Sequence, residues 1–209
     1  MSPYDGGRFP APDVEAVLKE TGALREGHFL LASGRHSNRF FLLPQLFQFP
    51  QAAEPLVRGL AGLLETCPAE TVVGPAVGGI ILSYEVARLN GWRALYAEKT
   101  EARAGGGRHA EMELRRDFRL VQDEPVVVVE DVLTTGGSVR SAMAAVERAG
   151  GRVVAVGALV DRSESRARFG VPLRSLWQTQ AVDWEPDQCP LCREGVPLER
   201  PKQRRAAGI

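Results

Sequence analysis

The sequence predicts an α/β protein with an open, mainly parallel twisted sheet flanked by helices. Residues 126–129 are four consecutive valines, and such a β-branched run is typical of a strand buried on both faces of a parallel sheet. A polar, glycine-containing loop and a helical pattern over 139–149 follow it. The same order of strand, glycine loop and helix occurs over residues 71–89. This repetition is the alternation of an open parallel α/β sheet.

Composition restricts the class of protein. The chain has 209 residues, with 26 Lys plus Arg, 26 Asp plus Glu and a formal net charge of zero. This length fits one domain with a small appendage, and the balanced charge gives no support for a nucleic-acid partner. Three cysteines at uneven spacing do not form a disulfide framework. Because no apolar run has membrane-spanning length and no signal peptide is evident, we expect a cytoplasmic enzyme with no membrane partner.

The remaining elements follow from capping signals and periodicity. Asp13 is placed to cap a short helix that ends near Gly22, and a hairpin is predicted over 27–41. Further predicted elements are a helix at 51–64, strands at 71–73, 93–97, 153–160 and 171–176, and a helix at 80–89. Residues 98–117 are polar and predicted to be irregular. We divide the chain into residues 1–45, a core of 46–185 and a tail of 186–209.

The segment after the valine strand has the chemistry of a phosphate site. Its hydroxyls and glycines let backbone N–H groups and the following helix start approach an anion. The two acids before the loop, Glu130 and Asp131, would repel a phosphate unless they face sugar hydroxyls or a hydrated Mg²⁺. The loop lacks the Gly-Lys-Thr/Ser ending of a nucleotide-triphosphate loop. A ligand carrying both a phosphate and a free diol fits both halves.

This stretch resembles the signature of the type I phosphoribosyltransferases. The resemblance implies phosphoribosyl pyrophosphate as a ligand, with Asp131 as the acid closest to the sugar and Mg²⁺ held by the substrate rather than by a direct protein ligand. It implies a binding segment formed by Glu130, Asp131, Val132, Leu133, Thr134, Thr135, Gly136, Gly137 and Ser138. It also assigns the earlier glycine loop, with Ala76, Val77 and Gly78, to the pyrophosphate.

The hairpin narrows the resemblance to the orotate phosphoribosyltransferases, in which it forms a small N-terminal hood over the pyrimidine. The matching residues are Phe29, Leu31, Ser33, Gly34, Ser37 and Phe40. Ala32 stands where the family often has lysine, so that charge is absent or comes from Arg35 or Arg39. The resemblance also implies that orotate contacts Thr134, Arg162, Phe40 and Phe41. A planar guanidinium is well suited to a planar acid, although Arg162 could instead pair with Asp161 or Glu164.

Residues 98–117 are predicted to form a lid that contributes cations to the departing pyrophosphate. The resemblance implies a homodimer in which this loop enters the neighbouring subunit's site with a catalytic lysine. Arg103 occupies that lysine's position here, and arginine does not readily donate a proton. We therefore assign catalytic or pyrophosphate-binding roles to Lys99, Arg103 and His109, with Lys99 or His109 as the alternative acid.

Two questions stay open at this level. A lone Cys189-x-x-Cys192 is half of a zinc site, and a structural turn is favoured because Cys67 and the three histidines show no ligand spacing to it. Two other functions also fit the main motif. One is a phosphoribosyltransferase for another base, and the other is a non-catalytic regulator that senses phosphoribosyl pyrophosphate.

Overall fold

The computed structural model describes residues 13–100, 111–163, 167–180 and 182–201. Its main sheet has six strands in the order β5-β4-β3-β6-β7-β8, and all neighbours are parallel except β4 and β5. The strands are β3 (Thr71–Pro75), β4 (Arg93–Lys99), β5 (Met112–Leu114), β6 (Pro125–Leu133), β7 (Arg152–Asp161) and β8 (Leu173–Gln178). The predicted fold class, an open and mainly parallel sheet with flanking helices, is confirmed.

Helices cover both faces of this sheet. On one side α3 (Pro50–Leu64) and α4 (Gly78–Asn90) pack over Val127 and Val129, and on the other side α5 (Gly137–Arg148) packs over Val126 and Val128. All four valines are fully buried. The strand at 126–129 is therefore buried on both faces, as its unbroken β-branched run predicted.

The structure also differs from the sequence prediction. Strand β6 continues four residues beyond the valines, because β7 pairs with it as far as the Leu133–Asp161 register. The acids Glu130 and Asp131 thus lie within the strand and not after it. Strand β5 lies in the segment predicted to be irregular, where Met112 is buried against the sheet. A three-residue strand is too short to give a clear periodic signal.

A smaller three-stranded sheet carries the predicted hairpin. Strands β1 (Leu24–Leu30) and β2 (His36–Phe41) pair antiparallel, and β2 also pairs with β9 (Asp183–Trp184) from the other end of the chain. We call the β1–β2 hairpin the hood. Helix α1 (Val14–Glu20) precedes it, and the Asp13 side chain accepts a hydrogen bond from the Ala16 N–H at 3.0 Å, as predicted.

The remaining elements are short. They are α2 (Pro44–Phe47), a 3₁₀ turn (Pro186–Gln188) and α6 (Pro190–Arg193). In the described part of the chain, no helix has both the length and the apolar character that a membrane crossing requires.

Candidate active site

Two loops meet at the carboxyl ends of the neighbouring parallel strands β3 and β6. This edge is where open α/β sheets bind ligands. The first loop, residues 76–78, connects β3 to α4 and contains a cis peptide bond between Ala76 and Val77. A Cβ atom built on Gly78 would lie 2.5 Å from Asp131 Oδ2. Only glycine therefore lets the first loop approach the acid pair this closely.

The second loop forms a small polar cavity. Its volume is about 80 Å³, and it is lined by Glu130, Val132, Leu133, Thr134, Thr135, Gly136, Gly137 and Ser138. Gly136 precedes α5 with a left-handed φ of 75°, which turns the chain from the strand into the helix. Thr134, Thr135 and Ser138 are exposed, so their hydroxyls are accessible to a ligand. The free N–H groups of the first turn of α5 add donors for an anion.

Glu130 lines this cavity, and Asp131 follows it in β6. Glu130 is buried, and burial together with the adjacent Asp131 charge raises the pKa of Glu130 to about 9. Burial also raises the pKa of Asp131, although the Val132 N–H, which donates to Asp131 Oδ1 at 2.7 Å, acts in the opposite direction. With its pKa at about 9, Glu130 holds a proton at neutral pH. Such a pair can both donate to and accept from a vicinal diol.

Arg162 lies beside the phosphate loop. It directly follows β7, and its backbone N–H donates to the Leu133 carbonyl at 2.8 Å, one residue before Thr134. Its Nε is buried and has no hydrogen-bond partner among the described residues, and desolvation lowers the pKa of the guanidinium. Asp161 Oδ1 instead accepts from the Ser163 N–H at 2.8 Å, and Glu164 lies outside the described residues. An unpaired buried donor next to a cavity is expected where a ligand binds.

The two hood aromatics face different surroundings. Phe41 lies under the Arg162 guanidinium, 4.5 Å from its carbon to the ring centroid, and also packs against Trp177 at 6.2 Å. Phe40 packs against Phe29 at 5.6 Å instead, because successive residues of a strand point to opposite faces. The structure thus brings Phe41 and Thr134 towards Arg162, but not Phe40. Trp177, which sequence reasoning missed, directly follows the strand predicted at 171–176 and lies within the observed β8.

Of the predicted loop cations, Lys99 alone falls within the described residues. Lys99 is exposed at the end of β4, whereas Arg103 and His109 lie outside the described residues. The two arginines considered as replacements for the lysine at Ala32 both have carboxylate partners. Arg35 Nε lies 3.0 Å from Asp183, and Arg39 lies 2.9 Å from Glu15. Neither guanidinium is therefore free to replace that lysine without breaking an ion pair.

Comparisons with known proteins agree with this geometry. A family model described as "Phosphoribosyl transferase domain" matches residues 52–188. The chain is 44% identical to an orotate phosphoribosyltransferase of Thermotoga maritima over 191 residues, which cover 91% of this chain and 98% of that protein. It is 45% identical to an orotate phosphoribosyltransferase of Desulforamulus reducens over 192 residues, covering 92% and 96% of the two chains.

Solved structures give the same result for the fold. The crystal structure of orotate phosphoribosyltransferase from Aeropyrum pernix superposes with a TM-score of 0.66 at 28% identity, covering 79% of this chain and 93% of that one. The Mycobacterium tuberculosis H37Rv enzyme in complex with phosphoribosyl pyrophosphate gives a TM-score of 0.60 at 24% identity, covering 80% and 96%, and it bears on the fold alone. Together with the strand-end loops, these matches show that the chain belongs to the phosphoribosyltransferase family, and within it to the orotate phosphoribosyltransferases.

Proposed function

We propose that the strand-end cavity transfers the phosphoribosyl group of phosphoribosyl pyrophosphate to orotate, giving orotidine 5′-monophosphate and pyrophosphate. The position of Arg162 is the main structural support for this proposed activity. Its backbone N–H bonds to the Leu133 carbonyl, one residue before the phosphate loop, and its buried Nε has no hydrogen-bond partner among the described residues, so a base held by Arg162 would be close to a sugar phosphate held by residues 134–138.

The sugar phosphate is divided between two groups of residues. The exposed hydroxyls of Thr134, Thr135 and Ser138 and the first N–H groups of α5 bind the 5-phosphate. Glu130 and Asp131 bind the ribose 2- and 3-hydroxyls. Because the C1–O bond breaks through an oxocarbenium-like state, an anionic Asp131 close to the sugar stabilises the developing positive charge.

Mg²⁺ fits this arrangement as a partner of the substrate. Burial of two adjacent carboxylates disfavours their charged forms and raises both pKa values. A hydrated cation or hydroxyl donors nearby would stabilise the charged forms and offset this desolvation. We assign the ion no direct protein ligand. When bound, it neutralises charge on the pyrophosphate, which Ala76, Val77 and Gly78 contact through the loop backbone.

Orotate lies between Arg162, Phe41 and the Thr134 hydroxyl, with Phe40 supporting the hood through Phe29. A guanidinium that stacks on Phe41 keeps its donor edge free for the planar acid. Orotate N1 attacks C1 of the sugar after losing its proton, so positioning contributes more than acid–base chemistry. Lys99, Arg103 and His109 are the proposed cations for the departing pyrophosphate.

We also propose a homodimer that shares active-site loops. An exposed apolar stripe runs along α4 from the pyrophosphate loop, formed by Val77, Ile81 and Tyr84, which are 82%, 49% and 60% exposed. These positions lie on one helical face, and a neighbouring groove runs between α3 and α4. A stripe of this kind is typical of an association surface.

One assay tests the proposed activity. Loss of orotate absorbance is followed with phosphoribosyl pyrophosphate and Mg²⁺, and hypoxanthine and uracil replace orotate in parallel. We expect turnover with orotate and none with hypoxanthine or uracil. Turnover with hypoxanthine or uracil instead would point to another base, and binding of phosphoribosyl pyrophosphate without any turnover would point to the regulatory alternative.

A further inference from the structure

Four potential metal ligands from opposite ends of the chain converge beneath the hood. His28 and His36 come from β1 and β2, and Cys189 and Cys192 come from the start of α6 and from within it. Their ligand atoms all lie within 4.8 Å of one another. The expectation that the histidines are unrelated to the cysteine pair was therefore wrong, because about 160 residues of sequence separate groups that the fold brings together.

The distances match a single tetrahedral ion. His28 Nε2 lies 3.1 Å from His36 Nδ1, 3.4 Å from Cys189 Sγ and 3.7 Å from Cys192 Sγ, and Cys192 Sγ lies 3.3 Å from His36 Nδ1. With Zn–N bonds of about 2.0–2.1 Å and Zn–S bonds of about 2.3 Å, neighbouring ligand atoms of a tetrahedron are about 3.3–3.8 Å apart. These four edges lie in or near this range, with the His28–His36 edge slightly short, and all six lie within 4.8 Å.

The orientation of His28 supports ligation. Its Nδ1 lies 2.8 Å from the Val196 carbonyl oxygen, which can only accept, so Nδ1 carries the proton. In the neutral ring Nε2 then has a free lone pair, and it faces the other three groups. A histidine whose second nitrogen donates to a backbone carbonyl is the usual arrangement around a protein-bound metal.

Burial and ligand type indicate the metal. His28, His36 and Cys189 are 1%, 5% and 1% exposed, and Cys192 lies at the surface, where it leaves an entry path. Two thiolates and two imidazoles in a tetrahedron favour Zn²⁺. A two-iron cluster with this ligand set has its cysteines and histidines on different irons. Here three of the four sulfur–nitrogen pairs lie 3.3–3.7 Å apart, which is the spacing of ligands on one ion.

We propose that His28, His36, Cys189 and Cys192 form a structural zinc site that joins the hood to the C-terminal segment. All four positions are occupied by side chains, as in closed structural sites, so the ion would have no catalytic role. The backbone already connects the same two parts. The Glu199 N–H donates to the His28 carbonyl at 2.7 Å, and the Leu30 N–H donates to the Glu199 carbonyl at 2.9 Å.

Metal analysis of the full chain tests this site without any substrate, so its result does not depend on the proposed activity. We expect about one zinc per chain after purification under reducing conditions, and less than about a tenth of that in Cys189→Ser/Cys192→Ser. Cys67→Ser is the matched control, because Cys67 is not part of the cluster, and it should retain the zinc. Cys192→His should also retain it, since zinc accepts imidazole in place of thiolate.

A second measurement needs no variant. The wild-type chain, stripped with a chelator and titrated with Co²⁺, should develop the visible absorption of tetrahedral cobalt with thiolate ligands, and one equivalent of Zn²⁺ should remove it. A reduced wild-type chain that contains no zinc and gives no tetrahedral cobalt spectrum would overturn the proposal. A Cys189–Cys192 disulfide that persists under reducing conditions would overturn it as well.

Discussion

At the scale of single residues, the buried proton on Glu130 is the feature with the clearest measurable effect. Its pKa is raised from 4.5 to about 9 in the folded chain. Folding therefore takes up a proton between these two values, and the free energy of unfolding falls as the pH rises from about 4.5 to about 9.

We predict that Glu130→Gln removes this pH-dependent fall in the free energy of unfolding. The neutral amide has no charge to desolvate, so the variant should be more stable than the wild type at pH 8, by on the order of 1–3 kcal/mol, and the two should converge near pH 4.5. Urea unfolding at both pH values measures this. Glu147→Gln, which changes an exposed acid on α5, is the control. Equal pH slopes for wild type and Glu130→Gln would contradict the burial of a proton here.

A second prediction concerns Asp131. One substitution can remove its charge while keeping its hydrogen bond. Asp131→Asn keeps an oxygen that can accept from the Val132 N–H but removes the charge near the sugar. We expect kcat to fall by about 10²-fold or more while the free energy of unfolding changes by about 1 kcal/mol or less. Steady-state kinetics and thermal unfolding provide the two readouts. Unchanged turnover would remove Asp131 from the mechanism.

The approach of Gly78 to Asp131 gives a third residue-level prediction. In Gly78→Ala the new methyl would lie 2.5 Å from Asp131 Oδ2, so the acid or the loop must move, and kcat/KM should fall by at least tenfold. Gly62→Ala is the matched control, since no atom lies within 4 Å of its added Cβ and alanine favours a helix by about 0.5–1 kcal/mol. Equal kcat/KM for the two variants would show that the approach has no role in catalysis.

At the scale of elements, the hood depends on partners from the far end of the chain. Strand β9 pairs with β2, and the cysteine pair lies beside the hood histidines. If the zinc site and the proposed orotate site both exist, removing the metal loosens the strand that carries Phe41. We predict that chelation raises KM for orotate several-fold and changes KM for phosphoribosyl pyrophosphate by less than about twofold, as measured by initial rates.

The converse result for that experiment is also informative. If both KM values rise equally, the metal stabilises the fold as a whole and not the hood in particular. Cys67→Ser treated with the same chelator should respond like the wild type, because its cluster is intact.

Elements differ in how well the sequence predicts them. The strand at 126–129, the helix capped by Asp13 and the hood hairpin could be predicted because each has a local signal of burial, capping or turn chemistry. Strands β5 and β9 could not be predicted, because three and two residues are too few to show the alternation of apolar and polar residues. The extension of β6 through Glu130 and Asp131 follows from pairing with β7, which is not a local property.

The same limit applies to the candidate site. The acids and the hydroxyl loop are contiguous, and their chemistry can be inferred from their order along the chain. The proximity of Arg162 to Thr134, of Gly78 to Asp131 and of the histidines to the cysteine pair depends on register and chain folding instead. These contacts bring together residues that lie about 30 to 160 positions apart in the chain.

At the scale of the whole molecule, the exposed stripe of Val77, Ile81 and Tyr84 predicts self-association. Ile81→Lys should shift the chain from dimer to monomer in sedimentation velocity, because a charge buried in an apolar contact costs more than the contact contributes. Val121→Lys changes an exposed apolar residue that precedes β6, away from the stripe, and serves as the control. A wild-type monomer at micromolar concentration, or a dimeric Ile81→Lys, would contradict this interface.

The backbone pairing of Glu199 with β1 has one more consequence for the whole molecule. It satisfies the Leu30 N–H and the His28 carbonyl of β1, which would otherwise be unpaired at this open edge of the small sheet. Such an open border recruits strands from other molecules and leads to aggregation. The Glu199 segment thus covers part of this edge, and shortening the chain before Glu199 would expose that part.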